Sequence, residues 1–363
     1  MHVADVTMFY AAESGGIRTY VDAKRAWLRG RGCHHTLMVP GRNGCVADPW
    51  TVALRSVPLP LSHGYRIPLG IRSAVKSLVS LKPNLVEAED AWHLAWAVLR
   101  ARDALRVPAV AFCHSNLPRW LAMRCGRSVE RGAIRYCRRL YRHFDLVLAP
   151  SAHLAVILQS WGISRAQYQP LGVDLTIFSP RWRTSALRKR LGIGKEMRLL
   201  IYAGRFAAEK NLGDLAYAMR RLGSSYVLLL VGAGKLPAEL PANVRVINYV
   251  RQREELAALL ANCDAFVHAG DQETFGLAAL EAMACGLPVV GADAAGIGEL
   301  IGSGAGIAVK PRSAEALADG IERLFKQDLA AIGARSRRIA ERYAWDRVLS
   351  DLLQRYRGLC ALN

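Results

Sequence analysis

The sequence predicts an α/β protein built from two doubly wound parallel sheets. Apolar runs of four to eight residues alternate with segments of helix length, which is typical of parallel strands covered on both faces. This alternation occurs twice, once before residue 170 and again after residue 180. A chain of 363 residues that is 52% hydrophobic is also long enough to form two separate cores. We therefore expect two domains.

Short apolar runs mark the strands of both halves. In the first half, strands are predicted to start at Val3, Leu85, Ala109 and Leu146. In the second half they are predicted near residues 198, 226, 244, 265, 288 and 305. The segment PLGVDLTIFSP at 170–180 carries Gly172 and a proline at each end, which favours a domain boundary. The predicted domains cover 1–172 and 173–344.

Two carboxylates, Glu273 and Glu281, lie eight positions apart in the run ETFGLAALEAMACGLPVVGAD. Good helix formers at 277–285 end at Gly286, and a short apolar strand follows, so we expect a loop, a helix and a buried strand. Along a helix, eight residues span roughly 12 Å. The spacing therefore suits a ligand with two polyhydroxylated ends, although an isolated glutamate pair of this kind is usually a solvated helix face.

The start of this predicted helix is an expected anion site. The first backbone N–H groups of a helix have no partner within the helix and attract negative charge. Here they belong to Phe275, Gly276 and Leu277. A nucleoside diphosphate sugar fits this arrangement, with its sugar hydroxyls at Glu273, its diphosphate on the amides and its ribose hydroxyls at Glu281.

Two cations, Arg205 and Lys210, flank a second strand-to-helix turn. The apolar run RLLIYAG at 198–204 predicts a strand, and RFAAEKN leads from it to a helix that starts near Leu212. In an open parallel sheet, ligands bind outside the carboxyl ends of the strands, where both turns are expected to lie. Arg205 and Lys210 are therefore predicted to hold a phosphate, the alternative being two surface cations.

The chain resembles the family 4 glycosyltransferases, which are retaining enzymes of the GT-B fold. The matching elements are Gly15-Gly16 after the first strand, the histidine of FCHSN, PLGVD at 170–174, GRFAAEKN at 204–211 and the block from Glu273 to Glu281. The resemblance implies two Rossmann-like domains with a cleft between them. It implies an acceptor-binding domain at 1–172, to which the last helix and the C-terminal residues (345–363) return, and a nucleotide-sugar domain at 173–344.

The resemblance also implies roles for individual residues. The implied catalytic residues are His114, beside the transferred sugar, with Arg205, Lys210 and Glu273. The implied donor-binding residues are Gly16 at the diphosphate, Val250 at the base, Arg205, Lys210, Glu273, Phe275, Gly276, Leu277 and Glu281. One departure from the family pattern touches the sugar pocket: HAGDQ at 268–272 replaces the usual proline-serine, which leaves the donor sugar open.

No metal and no cofactor are expected beyond the nucleotide-sugar substrate. A metal-dependent transferase of the other common fold needs an Asp-x-Asp site after a strand, and the nearest match is Glu87-Ala88-Glu89-Asp90, which we interpret as a helix cap. Arg205, Lys210 and oriented amides are expected to offset the leaving-group charge instead. The resemblance implies transfer with retention, in which a phosphate oxygen accepts the proton of the acceptor hydroxyl.

The formal net charge is +19, and residues 119–142 carry eight arginines against one acidic residue, Glu130. If this segment is helical, six of the arginines fall within an arc of roughly 80°: Arg124, Arg127, Arg131, Arg135, Arg138 and Arg142. The opposite face is apolar, and such a helix can lie on anionic lipid headgroups. An equally weighted alternative is that the apolar face covers the N-terminal sheet. Nucleic-acid binding is not expected, because no recognised motif accompanies the charge.

The expected location is the cytoplasm, peripherally at the inner face of the plasma membrane. Eight cysteines without a CxxC pair are typical of reduced thiols. Acidic residues interrupt the first apolar stretch, and no run of eighteen uncharged apolar residues occurs, so neither a cleavable signal nor a membrane span is expected.

These observations predict a glycosyltransferase. It is expected to move a hexose, mannose or glucose, from a nucleotide sugar to a hydroxyl of a lipid-linked or glycan acceptor. Two alternatives stay open at this point: a nucleotide-sugar 2-epimerase of the same fold, and a basic non-enzymatic protein that binds nucleic acid or membranes.

Overall fold

The computed structural model describes residues 1–10, 15–41, 50–59 and 65–362. By their internal contacts these residues form two compact units. The first contains Met1–Leu171 together with Trp345–Asn363, and the second contains Gly172–Ala344.

The sheet of the first unit has eight strands in its described part. They are β1 (His2–Val6), β2 (His34–Gly41), β3 (Thr51–Pro58), β4 (Arg66–Pro68), β5 (Leu85–Ala88), β6 (Ala109–Phe112), β7 (Leu146–Ala149) and β8 (Ala166–Tyr168). Their order is β4-β3-β2-β1-β5-β6-β7-β8, and all neighbours are parallel except β3 and β4. The strand order reverses between β1 and β5, which makes their carboxyl ends the topological switch point of this sheet.

Helices cover this sheet. They are α1 (Gly16–Arg29), α2 (Ile71–Leu81), α3 (His93–Leu105), α4 (Leu117–Cys125), α5 (Arg127–Tyr141) and α6 (Ala152–Ser160). The apolar strand residues are buried beneath them, as the continuous apolar runs predict.

The second unit has a six-stranded sheet in which all described neighbours are parallel. Its strands are β9 (Arg198–Ala203), β10 (Tyr226–Gly232), β11 (Val244–Asn248), β12 (Ala265–His268), β13 (Val289–Ala292) and β14 (Gly306–Val309), in the order β11-β10-β9-β12-β13-β14. Its helices are α7 (Ala186–Arg190), α8 (Leu212–Leu222), α9 (Arg253–Ala261), α10 (Leu277–Ala284), α11 (Ala295–Leu300), α12 (Ala314–Leu324) and α13 (Leu329–Glu341). The switch point of this sheet lies between β9 and β12.

The last helix, α14 (Trp345–Ala361), packs with the first unit. The side chain of Gln169, next to β8, donates a hydrogen bond of 3.1 Å to the carbonyl of Val348. The buried residues of α14 recur at helical spacing, which gives it one apolar face: Val348, Leu349, Leu352, Leu353 and Tyr356.

The doubly wound α/β fold is confirmed in both units, but two predictions need correction. The segment 119–142 is not one helix, because Gly126 separates α4 from α5 with φ +87°, a left-handed conformation that glycine adopts readily. The acidic run at 87–90 is not a helix cap either. Glu87 lies within β5, and α3 starts at His93 without a side-chain cap.

No helix in the described ranges is both long enough and apolar enough to cross a membrane.

Candidate active site

The turn after β9 places Arg205 and Lys210 at the switch point of the second sheet. The hydroxyl of Tyr202 donates to the carbonyl of Arg205 over 2.9 Å, and the N–H of Phe206 donates to the carbonyl of Ala233 over 2.7 Å. The chain then forms a 3₁₀ turn, Ala208–Lys210, before α8 begins. Lys210 is consequently held by regular backbone structure on both sides.

Lys210 reaches across from the β9 turn to the loop after β12. Its ammonium forms an ion pair with Oε1 of Glu273, and both side chains are largely shielded from solvent. Burial lowers the pKa of Lys210 to about 8, and the nearby charge of Arg205 lowers it further in the same direction. The two residues that the sequence placed at separate turns therefore meet in one site.

His268, the last residue of β12, makes a second contact to the same carboxylate. Its Nε2 lies 3.2 Å from Oε1 of Glu273, and its Nδ1 accepts a hydrogen bond of 3.1 Å from the N–H of Gly270. Since Nδ1 is an acceptor, the ring proton resides on Nε2, which donates to Glu273. Burial and the charge of Lys210 lower the pKa of His268 to about 3, so the ring is neutral.

Glu273 keeps one oxygen for a ligand. Both Lys210 and His268 contact Oε1, and within the described part of the chain no hydrogen bond to Oε2 is observed. The main chain beside it is also fixed, because the carbonyl of Glu273 accepts a hydrogen bond of 2.7 Å from the N–H of Gly296. This geometry can direct one carboxylate oxygen to a sugar hydroxyl.

Gly270 allows the two loops to approach closely. A Cβ at this position would lie 2.7 Å from Cε1 of His268, 2.9 Å from the carbonyl oxygen of Glu209 and 3.2 Å from Cα of Lys210. Real Cβ atoms do not make contacts this short with backbone. The contact between the β9 turn and the β12 loop thus requires glycine here.

Arg205 does not join the cluster around Glu273. It forms an ion pair of 3.2 Å with Glu209, four residues away, and its side chain is 64% exposed. An exposed ion pair of this kind contributes little to stability. The guanidinium is therefore able to bind another anion.

The helix start predicted as an anion site is present. α10 begins at Leu277 after Gly276, and no backbone carbonyl among the described residues accepts a hydrogen bond from the N–H of Phe275, Gly276 or Leu277. Glu281 lies on the second turn of α10 and takes part in no ion pair with the residues that the structure describes. Burial raises the pKa of Glu281 to about 7, while Arg253 acts in the opposite direction.

The other predicted donor residues lie apart from this cluster in the chain. Val250 is half-buried in the segment between β11 and α9. Gly16 is the first residue of α1, and His114 follows β6, so both belong to the first unit. The side chain of His114 is 4% exposed, with Nε2 2.7 Å from Oε2 of Glu89, and burial and the nearby Lys24 lower its pKa to about 3.

Sequence reasoning missed the role of His268. The signal was present as a departure from the family pattern, HAGDQ at 268–272, but only the structure shows that the histidine contacts Glu273. The same segment contributes Asp271, which forms an ion pair of 2.7 Å with Arg312. The carboxamide of Asn211 donates to the carbonyl of Ala269 over 3.2 Å, which links the segment to the β9 turn.

The arginines of 119–142 are exposed, and most of the apolar residues opposite them are not. All six predicted stripe residues have exposed side chains. On the apolar face of α5, however, Ala133, Cys137, Leu140 and Tyr141 are buried in the first unit. Of the two equally weighted interpretations, the structure therefore favours the second: the apolar face of α5 is buried in the first unit, and the basic face is exposed to solvent.

Comparison with known families agrees with this architecture. The model of the glycosyltransferase family 4 domain matches residues 14–177, and the model of the group 1 glycosyl transferases matches residues 184–344. The two matches meet near the boundary between the units.

Individual relatives are mostly bacterial transferases. The GDP-mannose-dependent α-(1-6)-phosphatidylinositol dimannoside mannosyltransferase of Mycobacterium tuberculosis is 28% identical, over 97% of this chain and 95% of its own length. A GDP-mannose-dependent α-mannosyltransferase of Corynebacterium glutamicum is 26% identical, over 100% of this chain and 90% of its own. The sulfoquinovosyl transferase of Arabidopsis thaliana is 30% identical, over 81% of this chain and 60% of its own.

Solved structures share the fold across the whole chain. The sucrose-phosphate synthase of Thermosynechococcus elongatus superimposes with a TM-score of 0.82 at 20% identity and covers 100% of both chains. The Anabaena protein HepE, solved with UDP and glucose, gives a TM-score of 0.76 at 20% identity, with 97% of this chain and 98% of that chain covered.

These matches decide between the alternatives left open by the sequence. Both family models describe glycosyltransferases, which supports the transferase over the 2-epimerase and the non-enzymatic binder. The chain therefore belongs to family 4 of the glycosyltransferases, has the GT-B fold with two Rossmann-like domains, and is a hexosyltransferase.

Proposed function

We propose that this enzyme transfers mannose from GDP-mannose to a hydroxyl of a lipid-linked or glycan acceptor, with retention of configuration. The observation that carries the proposal is the contact of Lys210 and His268 with a single oxygen of Glu273 at the β9–β12 switch point. The mannose donor is supported by the relatives, several of which are named as GDP-mannose-dependent. UDP-glucose is the second candidate, because HepE was solved with UDP-glucose.

The donor is placed by charge and hydrogen-bond complementarity. Oε2 of Glu273 accepts a sugar hydroxyl, while Lys210 and Arg205 bind the diphosphate, Lys210 as a point charge and Arg205 as a fork of donors. The amides at the start of α10, which donate to no described backbone carbonyl, add partial positive charge. Glu281, eight residues from Glu273, accepts hydrogen bonds from the ribose hydroxyls, and the backbone near Val250 contacts the base. Gly16 is assigned to the diphosphate by the family resemblance alone.

The same groups supply the catalysis. As the bond between the anomeric carbon and the phosphate oxygen breaks, negative charge develops on the diphosphate, where Lys210 and Arg205 stabilise it. A phosphate oxygen takes the proton of the attacking hydroxyl, and His114 orients the transferred sugar. This arrangement needs no metal ion, because two side-chain cations and oriented amides offset the leaving-group charge.

The acceptor is proposed to be presented at the cytoplasmic face of a membrane. The exposed arginines of α4 and α5 form a basic surface that anionic headgroups attract. Because the apolar face of α5 is buried in the core, contact with the membrane is electrostatic, without insertion of that face.

Incubation with GDP-mannose, UDP-glucose, GDP-glucose and UDP-galactose, with and without EDTA, tests the donor. We expect GDP-mannose to raise the melting temperature most and to be hydrolysed or transferred at a rate that EDTA does not change. NMR of the product should show the α-anomer, as in the donor. No thermal shift with any of the four sugars contradicts the donor site, a larger response to UDP-glucose reassigns the sugar, and an EDTA-sensitive rate contradicts metal independence.

A further inference from the structure

A second cluster of ionisable side chains lies in the core of the first unit. The ammonium of Lys24, on α1, is 2.7 Å from Oδ2 of Asp5, 3.1 Å from Oε2 of Glu87 and 2.8 Å from Oε1 of Glu89. All four side chains are at most 1% exposed. The cluster lies at the β1–β5 switch point, because Asp5 pairs with Glu87 across these strands and Glu89 follows β5.

The cluster holds three carboxyl groups but only one lysine. A neighbouring ring, His35, contacts Oδ2 of Asp5 through Nε2 at 2.8 Å. Its Nδ1 is buried and has no hydrogen-bond partner among the described residues, so a proton there would be an unpaired buried donor. Burying two uncompensated negative charges is expensive, so the core favours a proton on at least one carboxyl group.

Geometry selects Glu89 as the carboxyl group that carries this proton. Oδ1 of Asp5 and Oε1 of Glu87 are buried and have no partner within the described residues, so a proton there would have no acceptor. Oε2 of Glu89, by contrast, lies 2.7 Å from Nε2 of His114. Oδ2 of Asp5 and Oε2 of Glu87 both accept from the ammonium of Lys24, whereas Lys24 contacts Oε1 of Glu89 and leaves Oε2 to face the ring nitrogen, so Oε2 of Glu89 is the oxygen best placed to carry the proton. Burial raises the pKa of Glu89 well above its ordinary value, in agreement with this choice.

We propose that Glu89 is a neutral acid that donates a hydrogen bond to Nε2 of His114, and thereby fixes the orientation of the ring with its proton on Nδ1. Phe112 stacks on the imidazole with 4.1 Å between ring centroids, and Tyr20 lies 5.1 Å away, so the ring is also held sterically. Glu89 is a positioning residue in this account, and the inference rests on the proposed role of His114 beside the transferred sugar.

The hydrogen-bond network around Lys24 and Glu89 extends to the last helix, α14. The hydroxyl of Tyr356, on α14, donates to Oε2 of Glu87 and lies 3.5 Å from the ammonium of Lys24. Lys24 in turn donates to Oε1 of Glu89, which leaves Oε2 for His114. The helix from the end of the chain therefore contacts the same network that orients the histidine.

Substitution of Glu89 by glutamine tests the protonation state, because glutamine has the shape and the hydrogen-bond pattern of a neutral glutamic acid. Its carbonyl oxygen accepts from Lys24 and its NH₂ donates to His114. We expect Glu89→Gln to keep the His114 tautomer and to leave kcat within about threefold of the wild type. Glu89→Ala should lower kcat by roughly 10- to 100-fold, because the His114 ring is then free to move away from the reacting sugar. Glu87→Gln is the matched control, since Glu87 contacts Lys24 but not His114.

The tautomer is read directly by ¹⁵N NMR of histidine-labelled enzyme without substrate. In the wild type and in Glu89→Gln, Nε2 of His114 should give the signal of an unprotonated nitrogen and Nδ1 that of a protonated one. A protonated Nε2 in the wild type, or a tautomer change in Glu89→Gln, overturns the inference. The kinetics of His114→Ala test the proposed function separately, because an unchanged kcat there removes His114 from the reaction without altering the NMR result.

Discussion

Glu273 is the residue on which the donor site depends. It is approached from two different strands, by Lys210 after β9 and by His268 at the end of β12. A lysine alone leaves a carboxylate free to rotate, but the second contact from a neutral, buried histidine fixes which oxygen faces the ligand. The neutral state of His268 matters, because a charged imidazole would place a second cation on the same oxygen and weaken the negative charge that Glu273 presents to a sugar hydroxyl.

Two pKa values in the site predict a bell-shaped pH dependence of kcat/KM for the donor. Glu281 has a pKa of about 7 and must be ionised to accept both ribose hydroxyls, so kcat/KM rises as the pH passes about 7. Lys210 has a pKa of about 8 and loses its charge above it, so kcat/KM falls there. In Glu281→Gln the acidic limb should disappear while the alkaline limb stays. An acidic limb that survives this substitution contradicts the role of Glu281.

The raised pKa of Glu281 also makes the free energy of unfolding depend on pH, and here ionisation of Glu281 is unfavourable. A buried acid whose folded pKa lies above its unfolded value stabilises the protein at low pH, and this contribution is lost as the pH rises through about 7. The melting temperature of Glu281→Gln should therefore fall less between pH 5 and pH 9 than that of the wild type. Parallel curves for the two proteins would count against burial of an ionisable Glu281.

At the scale of elements, the site exists because β9 and β12 are neighbours although β10 and β11 lie between them in the sequence. Their carboxyl ends meet where the strand order reverses, and the loops that follow are tied by the contact of Asn211 with Ala269. The first unit repeats this logic with β1, β5 and β6, which bring Glu89 and His114 together. Each unit thus positions its polar residues by strand order.

Gly270→Ala is the sharpest probe of the loop contact in the second unit. The added Cβ meets His268 and the backbone of 209–210, so the loops must separate. We expect a loss of about 1–3 kcal/mol in the free energy of unfolding, as in other overpacked sites, and weaker donor binding. The matched control is Gly213→Ala on α8, where a Cβ has open space and should stabilise by roughly 0.5–1 kcal/mol. Equal donor affinity in both variants would show that the contact does not shape the site.

At the scale of the whole molecule, the charge of +19 is the most unusual property. Part of it is concentrated on the exposed face of α5, where Arg127, Arg131 and Arg135 make no ion pair with any described residue. Such a surface attracts anionic lipid at a range set by ionic strength.

Liposome flotation tests this surface. Replacement of Arg127, Arg131 and Arg135 by glutamine should weaken binding to phosphatidylglycerol vesicles by about 3 kcal/mol, at ~1 kcal/mol for each arginine. The same three-residue change at the exposed Arg323, Arg338 and Arg342 of the second unit is the control and should have a smaller effect. Equal losses in both variants would indicate attraction to net charge alone, and binding to neutral vesicles would contradict an electrostatic contact.

The sequence predicted the fold and half of the site because those features are local. Strand and helix periodicities identified the β9 and β12 turns, and from these the positions of Lys210 and Glu273 followed. The cluster around Lys24 was not predictable, since Glu87 and Glu89 lie more than sixty residues from Lys24 along the chain and meet Asp5 only through the register of β1 and β5. The sequence alone could not establish the break at Gly126, because helical periodicity continues across the glycine and only the backbone conformation separates α4 from α5.

The most direct measurement of the central claim is calorimetric binding of the donor to Lys210→Met and Glu273→Gln. Each change removes one charge from the pair that is proposed to hold the diphosphate and the sugar. The Kd for the donor should rise at least about tenfold in each variant, which is the loss expected for a single charge-assisted hydrogen bond. The exposed Lys189→Met and Glu255→Gln serve as controls and should bind like the wild type. Donor affinities of Lys210→Met and Glu273→Gln that equal those of the controls would contradict the account.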